Sequence, residues 1–168
     1  LTPTNEEVFN SKLIPQTSTK NIDFIYWGTF INLHGLEILL KAASVNNDKY
    51  SIYLLGDGQE YGYIKKLSKE LNLKNITFDK TIFTKENKFE YFYSILSRAK
   101  FAIGALSDSE KNNIVIPSKV IEAAAMKIPI LTFESLCVDF YSMKNNAYYI
   151  NTPLVESTAN MMKTLIEN

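Results

Sequence analysis

The chain has 168 residues, 46% hydrophobic and 12% aromatic against 21% charged, which excludes disordered, collagenous and low-complexity classes and fits one domain at roughly 100–200 residues per domain. Eighteen Lys and Arg balance eighteen Asp and Glu, so no net field draws the chain to a nucleic-acid backbone, and no nucleic-acid partner is expected. A single cysteine, Cys137, excludes an internal disulfide framework and a cysteine-rich zinc site, and fits a reducing, cytoplasmic setting. No apolar run approaches the about 20 residues that span a bilayer, so no transmembrane segment is expected.

Residues 1–21, with Pro3, Pro15 and scattered Ser, Thr and Asn, read as a lead-in segment. The chain begins at Leu1 without a methionine, which suggests a piece excised from a longer two-domain protein. From residue 22 to 168 the pattern is that of one domain. Ile22-Asp23-Phe24-Ile25-Tyr26-Trp27 reads as a strand ending at Gly28, followed by a helix carrying Leu36, Ile38, Leu39, Leu40, Ala42 and Ala43. Residues 50–55 make a second strand closed by Gly56-Asp57-Gly58, and Tyr63, Ile64, Leu67 and Leu71 recur at helical spacing. Ile76-Thr77-Phe78 is a short strand. An aromatic-rich helix with Phe89, Tyr91, Phe92, Ile95 and Leu96 then leads to the strand Phe101-Ala102-Ile103-Gly104. A polar loop from Ser107 to Asn113 precedes a helix from Pro117-Ser118 to Met126; strands at 128–132 and 147–150 and a helix from Val155 to Glu167 complete the chain. This alternation predicts an α/β, Rossmann-like, doubly wound parallel sheet of about six strands with helices on both faces. Its core should hold Phe24, Ile52, Leu54, Phe78, Ile103 and Ile130 on strands, and Leu39, Leu67, Phe92, Ala124 and Leu165 on helices.

Ligands of such sheets sit at the carboxyl ends of the strands. Several chemistries lack their residues there. His34 is the only histidine and no Gly-x-Ser-x-Gly elbow presents a serine, which argues against a Ser-His-Asp hydrolase. Neither a Gly-x-x-x-x-Gly-Lys-Ser/Thr loop nor a Gly-x-Gly-x-x-Gly follows the first strand. Gly56-Asp57-Gly58 reads first as a tight turn and second as a ligand contact. Asp108 and Glu110 read as a solvated loop, and no metal site is expected. The segment from Ile114 to Leu131 stands out: Pro117 pre-sets a helix start and Ser118 is a competent N-cap, so first-turn amides can hold an anion, with Glu122 one turn on available to sugar hydroxyls. An ordinary capped helix with a surface glutamate is the competing reading.

The stretch Pro-Ser-Lys-x-x-Glu-Ala-x-Ala-x-x-x-Pro-x-Leu, from Pro117 to Leu131, resembles the donor-site signature of family-4 glycosyltransferases of the GT-B architecture. In the same order, Tyr26-Trp27-Gly28-Thr29-Phe30 with His34-Gly35-Leu36 resembles the family's first strand and glycine loop; Leu54 to Gly58 resembles its Gly-x-Gly turn; Asn75 to Phe78 resembles its Asn-Val-x-Phe strand. The resemblance extends from Ile22 to Asn168, over the C-terminal, donor-binding half of that architecture. It implies a nucleotide-sugar-binding domain in which Glu122 binds the donor ribose, Pro117 and the amides of Ser118, Lys119 and Val120 hold the diphosphate, and Gly28 and Thr29 close over it. Lys80, Thr81 and Ile82 would line the base pocket. Lys119 and His34 would stabilise the leaving diphosphate as the catalytic pair, His34 from a protonated ring or else serving only as a packed loop residue. Three positions depart from the pattern: Ile114 stands where the first acid of a Glu-x7-Glu pair belongs, and Thr29 and His34 stand where Arg and Lys clamp the diphosphate.

The implied function is transfer of a sugar from a nucleoside-diphosphate sugar to an acceptor hydroxyl, with retention, without cofactor and independently of metal, in surface polysaccharide or glycan biosynthesis. Implied partners are the donor, an acceptor glycan or lipid-linked sugar, and a missing N-terminal domain without which this piece would be inactive. Cytoplasm, including peripheral association with the inner face of the membrane, is the implied location. A non-catalytic nucleotide-binding or regulatory module, and a sugar-nucleotide epimerase of the same architecture, remain as alternatives.

Overall fold

A two-residue period along β1 (Ile22–Trp27) turns Phe24 and Tyr26 to one side and Ile25 and Trp27 to the other, and all four are buried because helices cover both faces. The computed structural model describes residues 9–16, 19–134, 147–150 and 155–168, the side chains of Phe83 and Asn113 excepted. Cys137 and residues 1–8, 17 and 18 of the expected lead-in lie outside the described residues. The remaining strands, β2 (Ile52–Leu55), β3 (Ile76–Asp79), β4 (Ala99–Ile103), β5 (Ile130–Phe133) and β6 (Ala147–Ile150), closely follow the expected runs. They form one six-stranded sheet in the order β3-β2-β1-β4-β5-β6, every pair parallel. This is the doubly wound architecture predicted from the sequence.

The apolar spacing of α1 (Leu36–Val45) buries Leu36, Leu39, Leu40 and Ala43, an i, i+3, i+4, i+7 stripe. It shares one face of the sheet with α2 (Tyr61–Glu70) and α6 (Val155–Glu167), whose Ile64, Leu67, Ala159 and Met162 join Phe24, Tyr26 and Leu54. The other face is covered by α3 (Lys88–Leu96) and α5 (Ser118–Ala125), with Phe92, Leu96, Val120 and Ala123 against Ile25, Trp27 and Leu55. Phe9 and Ile14, from the expected lead-in, pack on this second core, Phe9 edge-on to Phe92 at 6.4 Å.

Eight of the expected core residues are buried, but Phe78, Ala124 and Leu165 are only half-buried. Phe78 lies on the edge strand, Ala123 takes the inward place beside Ala124, and Leu165 sits in the last turns of α6. The expected polar loop is also corrected: its second half folds into α4 (Glu110–Ile114), capped by Ser109, whose Oγ accepts from the Asn112 amide at 3.1 Å.

From β1 the chain runs outward through β2 and β3, and then returns to the other side of β1 to lay down β4, β5 and β6. The loops after β1 and β4 therefore diverge, opening a crevice at the carboxyl ends of the strands. The loop after β1 and helix α5 flank that crevice.

Candidate functional site

Glycines allow the loops after β1 and β2 to pack backbone against backbone. Gly56 has φ +150, and a Cβ there would stand 1.9 Å from the Gly28 carbonyl oxygen; one on Gly58 would stand 2.6 Å from that of Phe30. Gly56-Asp57-Gly58 is thus mainly a packing turn, the first of the two readings its sequence allowed. Gly28, at φ +121, faces a side chain instead: a Cβ there would lie 3.1 Å from Cε and Nζ of Lys119. The absence of a side chain at Gly28 is what lets the lysine reach the end of β1.

Lys119 is 6% exposed and makes no ion pair among the described residues. Its Nζ lies 4.8 Å from the centre of the Tyr26 ring and 3.5 Å from Nε2 of His34. Burial pushes the ammonium down to about 8, the negative charge of Glu122 opposing the shift. Unpaired buried cations are costly, and this one is held at the ligand edge of the sheet.

His34 sits in a short 3-10 turn, Asn32–His34, between β1 and α1. Its Nδ1 lies 2.6 Å from the Tyr26 hydroxyl and 2.9 Å from the Thr29 carbonyl oxygen, to which the Tyr26 hydroxyl also donates at 2.6 Å. With Tyr26 donating to Thr29, the proton belongs on Nδ1, leaving Nε2 as an acceptor facing Lys119. Burial, and after it the charge of Lys119, pushes the imidazole down to about 4, the Thr29 hydrogen bond opposing. The ring is therefore neutral at pH 7, and the protonated form that the sequence allowed is not the one this pocket favours. The turn is clamped from the far side of the crevice: Asn112, buried on α4, donates to the Leu33 carbonyl at 2.9 Å, and the Leu106 amide donates to that of His34 at 3.0 Å.

Helix α5 begins differently from expectation. Pro117 is the N-cap and makes no side-chain cap bond, while Ser118 is the first helical residue. Proline offers no side-chain acceptor, and the Val120 amide turns back to the Pro117 carbonyl at 2.9 Å. Helix geometry leaves the amides of Ser118 and Lys119 without an intrahelical partner. Val120 itself is a core residue.

One turn on, Glu122 accepts from Nε1 of Trp27 at 2.7 Å. The same indole lines a cavity of about 200 Å³ together with Gly28, Leu55, Gly56, Ile82, Phe89 and Phe92, and with Phe9 and Lys88. Of the three residues expected at a base pocket, Ile82 alone reaches this cavity. Lys80 pairs with Asp57 at 3.0 Å and lies over the Tyr61 ring at 3.8 Å. Thr81 gives its amide and hydroxyl to Asp79 at 2.7 and 2.8 Å. Tyr53 and Tyr91 each donate to the same carboxylate at 2.5 Å. Burial alone would raise the Asp79 carboxyl, but these hydrogen bonds together hold it below its ordinary value.

The structure thus brings Gly28, Thr29, His34, Lys119 and Glu122 to one crevice, with Ile82 on its apolar side. Thr29 is exposed. Three residues that work here have no role that the sequence assigns: Tyr26 and Trp27, which stand in the stretch resembling the family's first strand, and Asn112, in the polar loop. The only available signal was Trp27, the sole tryptophan, standing at the ligand end of a strand. Among the described residues, no three His, Cys, Asp or Glu gather as they would around a metal ion. No helix among them is long and apolar enough to cross a membrane.

No protein-family model matches the chain, and no curated protein matches it. Solved structures do. The C-terminal domain of LpcC, a group 1 family glycosyl transferase from Francisella tularensis, superposes with a TM-score of 0.69 at 16% identity, over 99% of this chain and 89% of that one. The chain has the fold of a GT-B C-terminal domain. TarM of S. aureus, solved with UDP, matches this GT-B domain with a TM-score of 0.69 at 18% identity, over 92% of this chain and 30% of TarM. HepE of Anabaena, solved with UDP and glucose, matches it with a TM-score of 0.67 at 16% identity, over 95% of this chain and 46% of HepE. The chain thus spans less than half of those two proteins.

Proposed function

We propose that the chain is the donor-binding domain of a retaining glycosyltransferase that moves a sugar from a nucleoside diphosphate to an acceptor hydroxyl. The observation that carries this is Lys119: a buried ammonium with no carboxylate partner among the described residues, held at the switch point of the sheet. A diphosphate supplies the missing anion. The α5 amides of Ser118 and Lys119 add donors beside the lysine, Glu122 accepts from the ribose, and the base enters the cavity bounded by Trp27, Ile82 and Phe92. That solved structures with this fold contain UDP supports a nucleoside-diphosphate ligand.

In the reaction, the bond between the anomeric carbon and the diphosphate oxygen breaks while the acceptor oxygen bonds to that carbon and passes its proton to the departing diphosphate oxygen. Negative charge grows on the departing oxygen. Lys119 stabilises it in a water-poor setting, where a fixed charge acts more strongly than in water. Neutral His34 keeps Lys119 in place by accepting at Nε2. The chain's own charges take the place of a metal, and an N-terminal domain of the longer protein supplies the acceptor wall, in cytoplasmic glycan or polysaccharide synthesis on a glycan or lipid-linked acceptor.

The test titrates the protein with UDP, GDP and ADP, with and without EDTA, and follows turnover of nucleotide sugars by the full-length protein. Binding that survives the chelator, with transfer to an added acceptor, is expected. Binding without turnover points to a regulatory module, interconversion of the donor sugar to an epimerase, and no binding of any diphosphate to a misplaced site.

A further inference from the structure

We propose that Trp27 is a positioning residue for the donor-binding carboxylate: its indole N–H fixes one oxygen of Glu122, so that the other meets the ribose in a single orientation. This rests on the reading of Glu122 given above. A glutamate half-exposed on a helix loses rotamer freedom when it is ordered. If a ligand had to impose that order, the loss would come out of its affinity. Here the loss has been met during folding. The Nε1 to Oε2 distance is 2.7 Å, in the range of a charge-assisted hydrogen bond, and the indole cannot yield. Trp27 is 6% exposed, pairs with Leu55 in the sheet and meets Phe92 edge-on at 5.7 Å.

The chemistry of the donor matters as much as its rigidity. An indole nitrogen only donates, so it occupies one carboxylate oxygen without adding an acceptor that would compete for sugar hydroxyls. Glu122 is left with Oε1 as its free acceptor. The indole also walls the cavity, so whatever packs there presses on the ring that holds the carboxylate. Base packing and ribose bonding are thereby linked through one side chain.

The experiment compares UDP, 2′,3′-dideoxy-UDP and inorganic pyrophosphate on the full chain and on Trp27→Phe, Glu122→Gln and the double variant. Phenylalanine keeps an aromatic ring in the core and removes the donor. For Trp27→Phe the expected result is about tenfold weaker UDP binding, the scale of one lost charge-assisted hydrogen bond, with pyrophosphate unchanged and dideoxy-UDP, which meets the ring only through its base, weakened far less, so that the ratio between UDP and dideoxy-UDP falls toward that of Glu122→Gln. The double variant should show the same ratio between UDP and dideoxy-UDP as Glu122→Gln alone. Retention of the wild-type ratio between UDP and dideoxy-UDP by Trp27→Phe, while Glu122→Gln loses it, would overturn the positioning role and leave the ribose assignment standing. A wild-type ratio in Glu122→Gln would instead remove the ribose assignment, and this proposal with it. Should Trp27→Phe fail to fold, the unsubstituted protein still answers. With one tryptophan in the chain, its ¹H–¹⁵N spectrum holds a single indole resonance; UDP should shift it and pyrophosphate should not, and an indole peak indifferent to UDP overturns the proposal.

Discussion

Consecutive residues of β1 serve the two ends of the site by opposite means. Tyr26 turns to a polar knot in which Thr29, His34 and Lys119 are joined by contacts of 2.6–3.5 Å around a buried cation. Trp27 turns to an apolar cavity and makes one polar bond, to Glu122. Lys119 and Glu122 stand one turn apart on α5, so a single helix reaches the ends of both faces of the strand. The charged end should respond to protonation and to deletion of charge, the apolar end to changes of volume. Stability should suffer from the first arrangement and gain from the second, because burial of an unpaired charge is unfavourable and burial of aromatic surface is not.

The sharpest way to break this contrast is Lys119→Met, which keeps most of the side-chain volume and removes the charge. Affinity for pyrophosphate and for nucleoside diphosphates should fall roughly 100-fold, about 2–3 kcal/mol for a lost charge-assisted contact. The melting temperature should hold or rise, since no described carboxylate is left unpaired. Calorimetry and thermal denaturation on the same variant check both halves. A variant that melts lower yet binds as before would mean that Lys119 is structural.

A smaller effect follows from pH. The ammonium of Lys119 lies at about 8 when the site is empty, and a bound diphosphate favours its charged form. Above pH 8 binding must therefore take up a proton, and affinity should fall by up to about tenfold per unit. Between pH 8 and the ordinary lysine value of 10.5 the unfolded chain holds more protons than the folded one, so the unliganded protein should gain stability through that window. His34 acts on the acid side. Its imidazole lies at about 4 against an ordinary 6.5, so the stability it confers is complete above 6.5 and is lost as pH falls toward 4. Melting curves of His34→Gln should flatten in that range, while Lys119→Met should abolish the alkaline fall in affinity.

How much of this was legible in the sequence depended on the range of each interaction. The strands and helices were, because short apolar runs and a 3.6-residue period are local. Helix α4 was missed because five residues, Glu110–Ile114, are too few for a period to show. The cap on α5 was assigned to Ser118, a good capping residue by type; the backbone placed Pro117 there instead. Lys119 emerged from resemblance and Glu122 already from its place one turn past the start of the helix, but not their surroundings. The Trp27–Glu122 bond spans 95 positions of sequence, and the depressed His34 reflects burial that no local pattern reports. Lys80 was placed by its position after a strand, which does not say which way a long side chain turns.

That last point yields the mildest test of the contrast between the two ends. Lys80 and Ile82 are near neighbours in the same turn and were both expected to meet the base. Lys80 is partly exposed and engaged with Asp57 and the Tyr61 ring; Ile82 lines the cavity. Lys80→Ala should cost about 0.2–1 kcal/mol of stability, the worth of an exposed ion pair with some stacking, and leave nucleotide affinity within about twofold, well under a lost hydrogen bond. Ile82→Ala should leave pyrophosphate binding alone and weaken UDP and GDP by about 1 kcal/mol, because only the base loses apolar contact. If instead Lys80→Ala weakens nucleotide and pyrophosphate alike, the positive charge on the cavity side takes part in binding. The division into a charged end and an apolar end would then have to be redrawn to include a second cation opposite Lys119.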